Sequence, residues 1–152
     1  MAILLALLIG VVAGLRALTA FAAVSLAAVL GTIDLSGSSL AFLASPWALG
    51  VLTLLAIGEL VGDKLPTTPS RKAPPAFAAR IISGAVAGAA IGSAGGTALV
   101  GLVLGVIGAA IGTLAGHAAR AKLAKGFGRD LPAAITEDVV AVTAAVLIAL
   151  AA

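Results

Sequence analysis

The sequence predicts an all-α fold, a polytopic bundle of transmembrane helices. Of the 152 residues, 62% are hydrophobic and 10% are charged, whereas soluble domains carry about 25% charged residues. The mean hydropathy is +1.26, and such an apolar surplus would expose larger patches than soluble monomers tolerate. In addition, apolar stretches long enough to cross a bilayer alternate with turn and charge clusters. A water-soluble globular domain is therefore excluded.

The first predicted span covers residues 2–31 and is interrupted only by Arg16. No Lys or Arg precedes it, and it is longer than the apolar core of a signal peptide, so we expect it to remain in the mature chain. A span needs about 20 residues, and this run is about ten residues longer. It is therefore either one tilted helix or two shorter helices joined at Gly14-Leu15-Arg16.

Four further spans are predicted, at residues 46–62, 81–96, 98–116 and 133–152. The apolar part of the third, residues 81–94, is short, so this span either includes the Gly95-Gly96 turn or crosses a thinned bilayer. Composition predicts loops at residues 32–39, 66–75 and 122–132. The chain is thus expected to form a single integral membrane domain, residues 1–152, with five spans.

The basic residues predict the orientation, because cytoplasmic loops carry the excess of Lys and Arg. Eight of the nine basic residues lie around two connections: Lys64, Arg71, Lys72, Arg80, Arg120, Lys122, Lys125 and Arg129. An alternating path then predicts a cytoplasmic amino end and an external carboxyl end. The same asymmetry explains the net charge of +3, which therefore gives no argument for a nucleic-acid partner.

Glycine recurs about every four residues in the third and fourth spans, which predicts a glycine-zipper hairpin. Small residues at this spacing let helix backbones approach closely in a membrane. The segments 88–93 and 108–113 also match in five of six positions, which reflects either packing or a transporter-type duplication. The predicted packing residues are Gly84, Gly88, Gly92, Gly105, Gly108 and Gly112.

Arg16 is the most unusual charge, because it lies in the middle of the first span. Buried ionisable residues in membranes find partners or face a cavity, so Arg16 either clamps the bundle or contacts an anion. Glu59 and Asp63 share one face of the second span, and Glu59 is the predicted proton carrier or partner of Arg16. The alternative for Asp63 and Lys64 is that they are ordinary solvated charges at a helix end.

Further charges lie at the ends of the other spans. Glu137 and Asp138 open the fifth span, where they either complement the helix dipole, with Thr136 as a cap, or place one side chain in the bundle. His117 ends the fourth span as a packing residue or a proton relay. At the cytoplasmic helix ends these charges, with Arg120, form a predicted polar ring around a cavity that reaches Arg16. The candidate substrate-binding residues are Arg16, Glu59, Asp63, Lys64, Arg80, His117, Glu137 and Asp138.

These residues carry a resemblance that covers most of the chain. The sequence resembles the bacterial integral-membrane family named domain of unknown function 4126. The resemblance implies a membrane helix bundle in a bacterial inner membrane, and it supports the polar sites without naming a substrate. The matching elements are Gly14-Leu15-Arg16-Ala17, Glu59-x-x-x-Asp63-Lys64-x-Pro66, Arg80, His117 and Glu137-Asp138.

Three functions remain open from the sequence. A small transporter or lipid-translocating protein for an anionic or phosphate-bearing substrate is favoured, acting as a homo-oligomer, preferably a dimer, among membrane lipids. The alternative is a structural protein that assembles through its glycine zipper. A lipid-phosphate enzyme is least favoured, because no nucleophile set is present. With no cysteine and one histidine, we expect no metal site, no cofactor and no catalytic residue.

Overall fold

The computed structural model describes residues 1–65, 70 and 72–152. Within them the fold is entirely helical and contains no strand, which confirms the all-α prediction. A short 3₁₀ turn, Ala41–Ala44, precedes the third α-helix. The described α-helices are α1 (Ala2–Leu15), α2 (Ala17–Leu30), α3 (Pro46–Gly62), α4 (Pro74–Ala94), α5 (Ala98–Phe127) and α6 (Asp130–Ala151).

The first predicted span is two helices, which decides between the alternatives that the sequence left open. Arg16 separates α1 from α2 with an extended backbone, at φ −144° and ψ 103°. Each helix has 14 residues and is therefore about 21 Å long, shorter than the hydrocarbon core of about 30 Å. Neither helix alone is long enough to cross a bilayer of ordinary thickness.

The two short helices form a hairpin whose outer ends lie at the same end of the bundle. A Cβ placed on Gly95, in the turn between α4 and α5, would lie 3.5 Å from the Ala2 Cβ. After α2, the Thr32 hydroxyl donates to the Ala149 carbonyl oxygen at 2.8 Å. Because α6 runs back alongside α5, Ala149 lies at the same end as Gly95. Arg16 is thus the tip of a re-entrant helical hairpin.

The re-entrant hairpin corrects the predicted path. If residues 2–31 crossed the bundle once, the two termini of the chain would lie at opposite ends of the bundle. Both termini instead lie at the end that holds the α4–α5 turn. The opposite end, which we call the basic end, carries the α3–α4 and α5–α6 connections. Its described basic residues include Lys64, Lys72, Lys122, Lys125 and Arg129; residues 66–69 and Arg71 lie outside the described part of the chain.

Three helices of the described chain, α4 to α6, are long and apolar enough to cross a membrane. The distribution of side chains agrees with lipid surroundings. The interior is rich in alanine and glycine, while large apolar side chains such as Leu54, Leu99 and Leu147 are 61–74% exposed. This arrangement is the reverse of a soluble core, in which large apolar side chains are buried.

Three predicted boundaries differ from the structure. Pro74 and Pro75 begin α4, because proline is tolerated in the first helical turn. With 21 residues, α4 is about 32 Å long and needs no thinned bilayer. Residues 122–127, expected as a loop, continue α5 to Gly128, whose φ of 70° ends it. Helix α6 then begins at Asp130, three residues before the predicted span.

Helices α1, α4 and α5 pack with their backbones in contact. A Cβ on Gly88 would lie 2.9 Å from the Gly105 Cα, and one on Gly10 would lie equally close to the same atom. A Cβ on Gly14 would lie 2.7 Å from the Gly112 Cα. Real Cβ atoms do not approach backbone atoms this closely, so these positions require glycine. The stripe therefore packs within one chain and holds the hairpin tip against α5.

Candidate functional site

Arg16 at the hairpin tip is completely buried, and carboxylates of two other helices bind it. Its Nε donates to Asp138 Oδ1 at 2.8 Å, and its Nη2 donates to Asp63 Oδ2 at 2.9 Å. Glu137 Oε2 lies 3.7 Å from the same Nη2. The guanidinium is thus held by ion pairs to α3 and α6, the environment that a charge inside a membrane requires.

The backbone carbonyl groups at the carboxyl end of α1 accept hydrogen bonds from side chains. Arg80, nearly two turns inside α4, donates from Nη1 to the carbonyl oxygens of Gly14 at 2.9 Å and Leu15 at 2.6 Å. The Thr113 hydroxyl of α5 donates to the Gly14 carbonyl at 3.2 Å. Positive charge at these carbonyls complements the negative end of the helix dipole.

Glu59 binds the other side of the break and does not pair with the Arg16 side chain. Its Oε1 accepts from the Ala17 N–H at 2.9 Å, and its Oε2 accepts from the Leu18 N–H at 2.8 Å. A carboxylate at a helix amino end gains from both the free N–H groups and the helix dipole. The expectation that Glu59 is the partner of Arg16 is therefore wrong, because Glu59 caps the backbone that follows Arg16.

Two of the three acidic residues of α6 are buried, at 7% exposure for Glu137 and 9% for Asp138. They lie two turns inside α6, which starts at Asp130, so the cap-and-dipole interpretation is wrong. Thr136 is not a cap, since its hydroxyl donates to the Pro132 carbonyl. Adjacent residues of a helix point about 100° apart, and neighbouring helices cover both directions.

Lys64 and Arg120 extend the ion pairs toward the basic end. Lys64 Nζ forms an ion pair with Asp138 and donates to the Leu60 carbonyl at 2.7 Å. Arg120 forms an ion pair with Asp63 and lies 3.6 Å from Glu137 Oε2. We call the charged residues around the tip the hairpin-tip cluster, which consists of Arg16, Glu59, Asp63, Lys64, Arg80, Arg120, Glu137 and Asp138.

The structure thus gathers seven of the eight predicted binding residues in the hairpin-tip cluster. The eighth, His117, is half-buried on α5, one turn before Arg120. Two further residues of the site were not predicted from the sequence: Asp130, which binds Arg120 Nη2 at 2.6 Å, and Ser83, whose hydroxyl donates to the Ala17 carbonyl at 2.6 Å. The only signals in the sequence were a charge three residues before the predicted fifth span, for Asp130, and a hydroxyl among small residues, for Ser83.

A cavity of about 250 Å³ lies beside the hairpin-tip cluster, between α5 and α6. Arg120 and Glu137 line it together with Leu15 of the tip.

Within residues 1–65, 70 and 72–152, no group of three His, Asp or Glu side chains is placed to hold a metal ion. At the opposite end of the bundle, hydrogen bonds from Ser36 lower the pKa of Asp34 below its ordinary value.

The comparison with protein families is decisive for classification. The model of the family described as domain of unknown function (DUF4126) matches residues 3–152, nearly the whole chain. The chain belongs to this family. No curated protein and no solved structure matches it. Membership in the DUF4126 family confirms the resemblance carried by the charged motifs, but the function has to be inferred from the geometry.

Proposed function

We propose that this DUF4126 protein is a small transporter in a bacterial inner membrane that moves an anionic, phosphate-bearing substrate. Its proposed binding site is the hairpin-tip cluster. The observation that carries the proposal is the broken, re-entrant pair α1–α2 with a charged residue at its tip. Non-helical backbone at membrane depth is tolerated only where protein buries it or it lines a cavity, and transporters bind substrates at such breaks.

The donors at the tip suit an anion. The Arg16 guanidinium and the N–H groups of Ala17 and Leu18 point toward carboxylates of the protein itself. In the proposed cycle, protonation of Glu59 releases the two N–H groups, and a phosphate oxygen of the substrate replaces the carboxylate. Helix amino ends bind phosphate in this way. Proton binding and substrate binding are thereby coupled at one place.

The proposed orientation places the basic end in the cytoplasm, because Lys and Arg concentrate there. Both chain ends then lie outside, and the hairpin enters from the outer side. We further propose that the protein acts as a dimer, since the six described α-helices make only a thin wall around a substrate path. The glycine stripe is occupied within the chain, so the dimer contact would use another face.

A structural role is the second candidate, and one observation favours it. Arg16 is 0% exposed and is bound by Asp63 and Asp138, as a clamp between α3, α6 and the hairpin would be. A glycine-zipper assembly has less support, because Gly84, Gly88 and Gly92 all pack against α5 of the same chain. The two functions differ in whether Glu59 is needed for movement of a substrate.

The test uses protein reconstituted in vesicles with two probes. A fluorescent phosphatidylglycerol reports lipid movement through bleaching by an external reductant, and radioactive inorganic phosphate reports movement of a soluble anion. We expect one probe to move faster than in protein-free vesicles, and Glu59→Gln to slow it at least about tenfold. Lys125→Gln, on the exposed end of α5, is the control and should keep the full rate.

The outcomes separate the two candidates. A lipid signal without phosphate uptake identifies a lipid-translocating protein, and the reverse identifies a transporter of soluble anions. If neither probe moves, or if Glu59→Gln retains the full rate while folded, the transport proposal is refuted and the clamp is the better account.

A further inference from the structure

A second cavity, distinct from the hairpin-tip cluster, lies between α2, α3 and α6. Its volume is about 360 Å³, within the range of ordinary ligand sites. The walls are apolar except for two threonines. We call this cavity the α2–α3 groove; residues that line it include Thr19, Leu26, Leu49, Leu60, Val142 and Val146.

Thr19 in this wall carries a buried hydroxyl that has no hydrogen-bond partner among the described residues. The side chain is 6% exposed. A helical threonine usually donates to the carbonyl four residues earlier, which here belongs to Leu15, across the break at Arg16. That carbonyl already accepts from Arg80 and Arg16. The break therefore deprives Thr19 of its ordinary acceptor.

An unpartnered buried hydroxyl has a free-energy cost, and a ligand in the groove could remove it. A rotation of about 120° about χ1, between staggered rotamers, moves the threonine hydroxyl into the position that the methyl group held. Such a rotation would turn the Thr19 hydroxyl toward the groove. The ligand must then offer a hydrogen-bond acceptor at the level of Thr19 and an apolar part along the rest of the wall.

The surroundings identify where such a ligand comes from. Helix α3, which forms one wall, exposes large apolar side chains such as Leu54 and Val61, at 70% and 60% exposure. This face contacts lipid in a membrane, so the groove is filled from the bilayer. Along α3 the groove extends from Leu49 to Leu60, which is about 16 Å of helix and suits an extended hydrocarbon chain.

Positive charge is available at one end of the groove. Leu60 lines that end, and its carbonyl accepts from Lys64 Nζ at 2.7 Å. The ammonium group has three N–H donors; two of them donate hydrogen bonds to the Leu60 carbonyl and to Asp138. The third has no acceptor among the described residues. Lys64 is 26% exposed and lies one helical turn beyond Leu60, toward the basic end.

From these contacts we infer that the α2–α3 groove binds one acyl chain of a glycerophospholipid from the leaflet at the basic end. The ester carbonyl accepts a hydrogen bond from Thr19, and a phosphate oxygen accepts one from the third N–H of the Lys64 ammonium group. The chain runs along α2 toward Leu26. This lipid site shares Lys64 with the hairpin-tip cluster, but it does not require transport, since a structural protein could hold the same lipid.

The test is photochemical labelling in bilayer nanodiscs. The probe is a phosphatidylglycerol with a diazirine in one acyl chain, and mass spectrometry maps the labelled residues. We expect the label to concentrate on groove residues of α2, α3 and α6. Ala22→Trp, in the groove wall, should reduce that label at least about fivefold. Val103→Trp, on the exposed face of α5, is the matched control and should leave it unchanged.

Two smaller changes test the polar contacts without filling the groove. Thr19→Val removes the hydroxyl and should lower labelling about fivefold, as expected for one hydrogen bond, while Thr19→Ser should retain it. Lys64→Gln should lower labelling by the phospholipid but not by a diazirine diacylglycerol, which has no phosphate. These variants decide the question if Ala22→Trp does not fold, as judged by gel filtration and circular dichroism.

Several results would overturn the inference. Labels spread evenly over all exposed apolar faces, including α5, would show that the groove holds no particular lipid. If the Thr19→Val variant and the unaltered protein are labelled equally, the proposed hydrogen bond between Thr19 and the ester carbonyl is refuted. A diazirine fatty acid that labels the groove as strongly as the phospholipid, with no effect of Lys64→Gln, would show that a free amphiphile is the occupant.

Discussion

The close packing of α4 on α5 predicts that one added methyl group at Gly105 will destabilise the protein. In Gly105→Ala the new Cβ would lie 2.8 Å from the Gly84 carbonyl carbon and 3.1 Å from the Gly88 Cα. These are backbone atoms, so no side chain can rotate away, and α4 must move as a unit. Helix α1, whose Gly10 also faces Gly105, would lose contact when the helices separate.

The magnitude follows from two opposing terms. Overpacking of a tight interior costs about 1–3 kcal/mol, and displacement of a backbone belongs at the upper end. Alanine regains about 1 kcal/mol of helix propensity over glycine. We therefore expect Gly105→Ala to lower the free energy of unfolding by about 2 kcal/mol.

The matched control is Gly58→Ala on α3. No atom lies within 4 Å of a Cβ added there, so only the propensity term remains. Gly58→Ala should raise the free energy of unfolding by up to about 1 kcal/mol. The same chemical change is thus expected to have opposite signs at two positions of one protein.

Unfolding in mixed detergent–SDS micelles, followed by far-ultraviolet circular dichroism, measures both variants. Fluorescence is less suitable, because the single tryptophan, Trp47, is 85% exposed. If Gly105→Ala is as stable as the unaltered protein, or if both variants shift in the same direction, α4 and α5 are not in backbone contact and the packing argument fails.

Three further predictions follow from the hairpin. Arg16→Gln removes the fully buried cation that Asp63 and Asp138 share, while Arg120 and Lys64 stay paired with them, so we expect a cost of about 3 kcal/mol in SDS unfolding, the lower end for a broken buried pair. Exposed Arg129→Gln should change the free energy of unfolding by less than about 0.5 kcal/mol; equal effects would contradict a buried ion pair. Glu59→Gln weakens a helix cap and should cost about 0.5–2 kcal/mol in the same assay. In vesicles, an amino-terminal tag and Ser39→Cys should be labelled from one side and Lys125→Cys from the other; a tag and Ser39→Cys on opposite sides would rule out the re-entrant hairpin.

The sequence by itself determined the class of the protein and the inventory of its site. An apolar surplus in so short a chain has to face lipid, so membrane helices followed from composition alone. The cost of a buried charge singled out Arg16 and the carboxylates of α3 and α6, and seven of the eight candidates meet in one cluster. These inferences succeed because they depend on solvation free energy, which each residue carries wherever it lies.

The tertiary structure alone decided the path of the chain and the partners of each charge. Arg16 pairs with Asp63 and Asp138, which are 47 and 122 residues away, while Glu59 caps α2. These helices are apolar on nearly every side, so periodicity does not show which face meets which neighbour. The hairpin turns back because α5 offers a glycine surface to α1, and side chains satisfy the backbone groups at the break. Both conditions are properties of the packed bundle, and no single segment contains them.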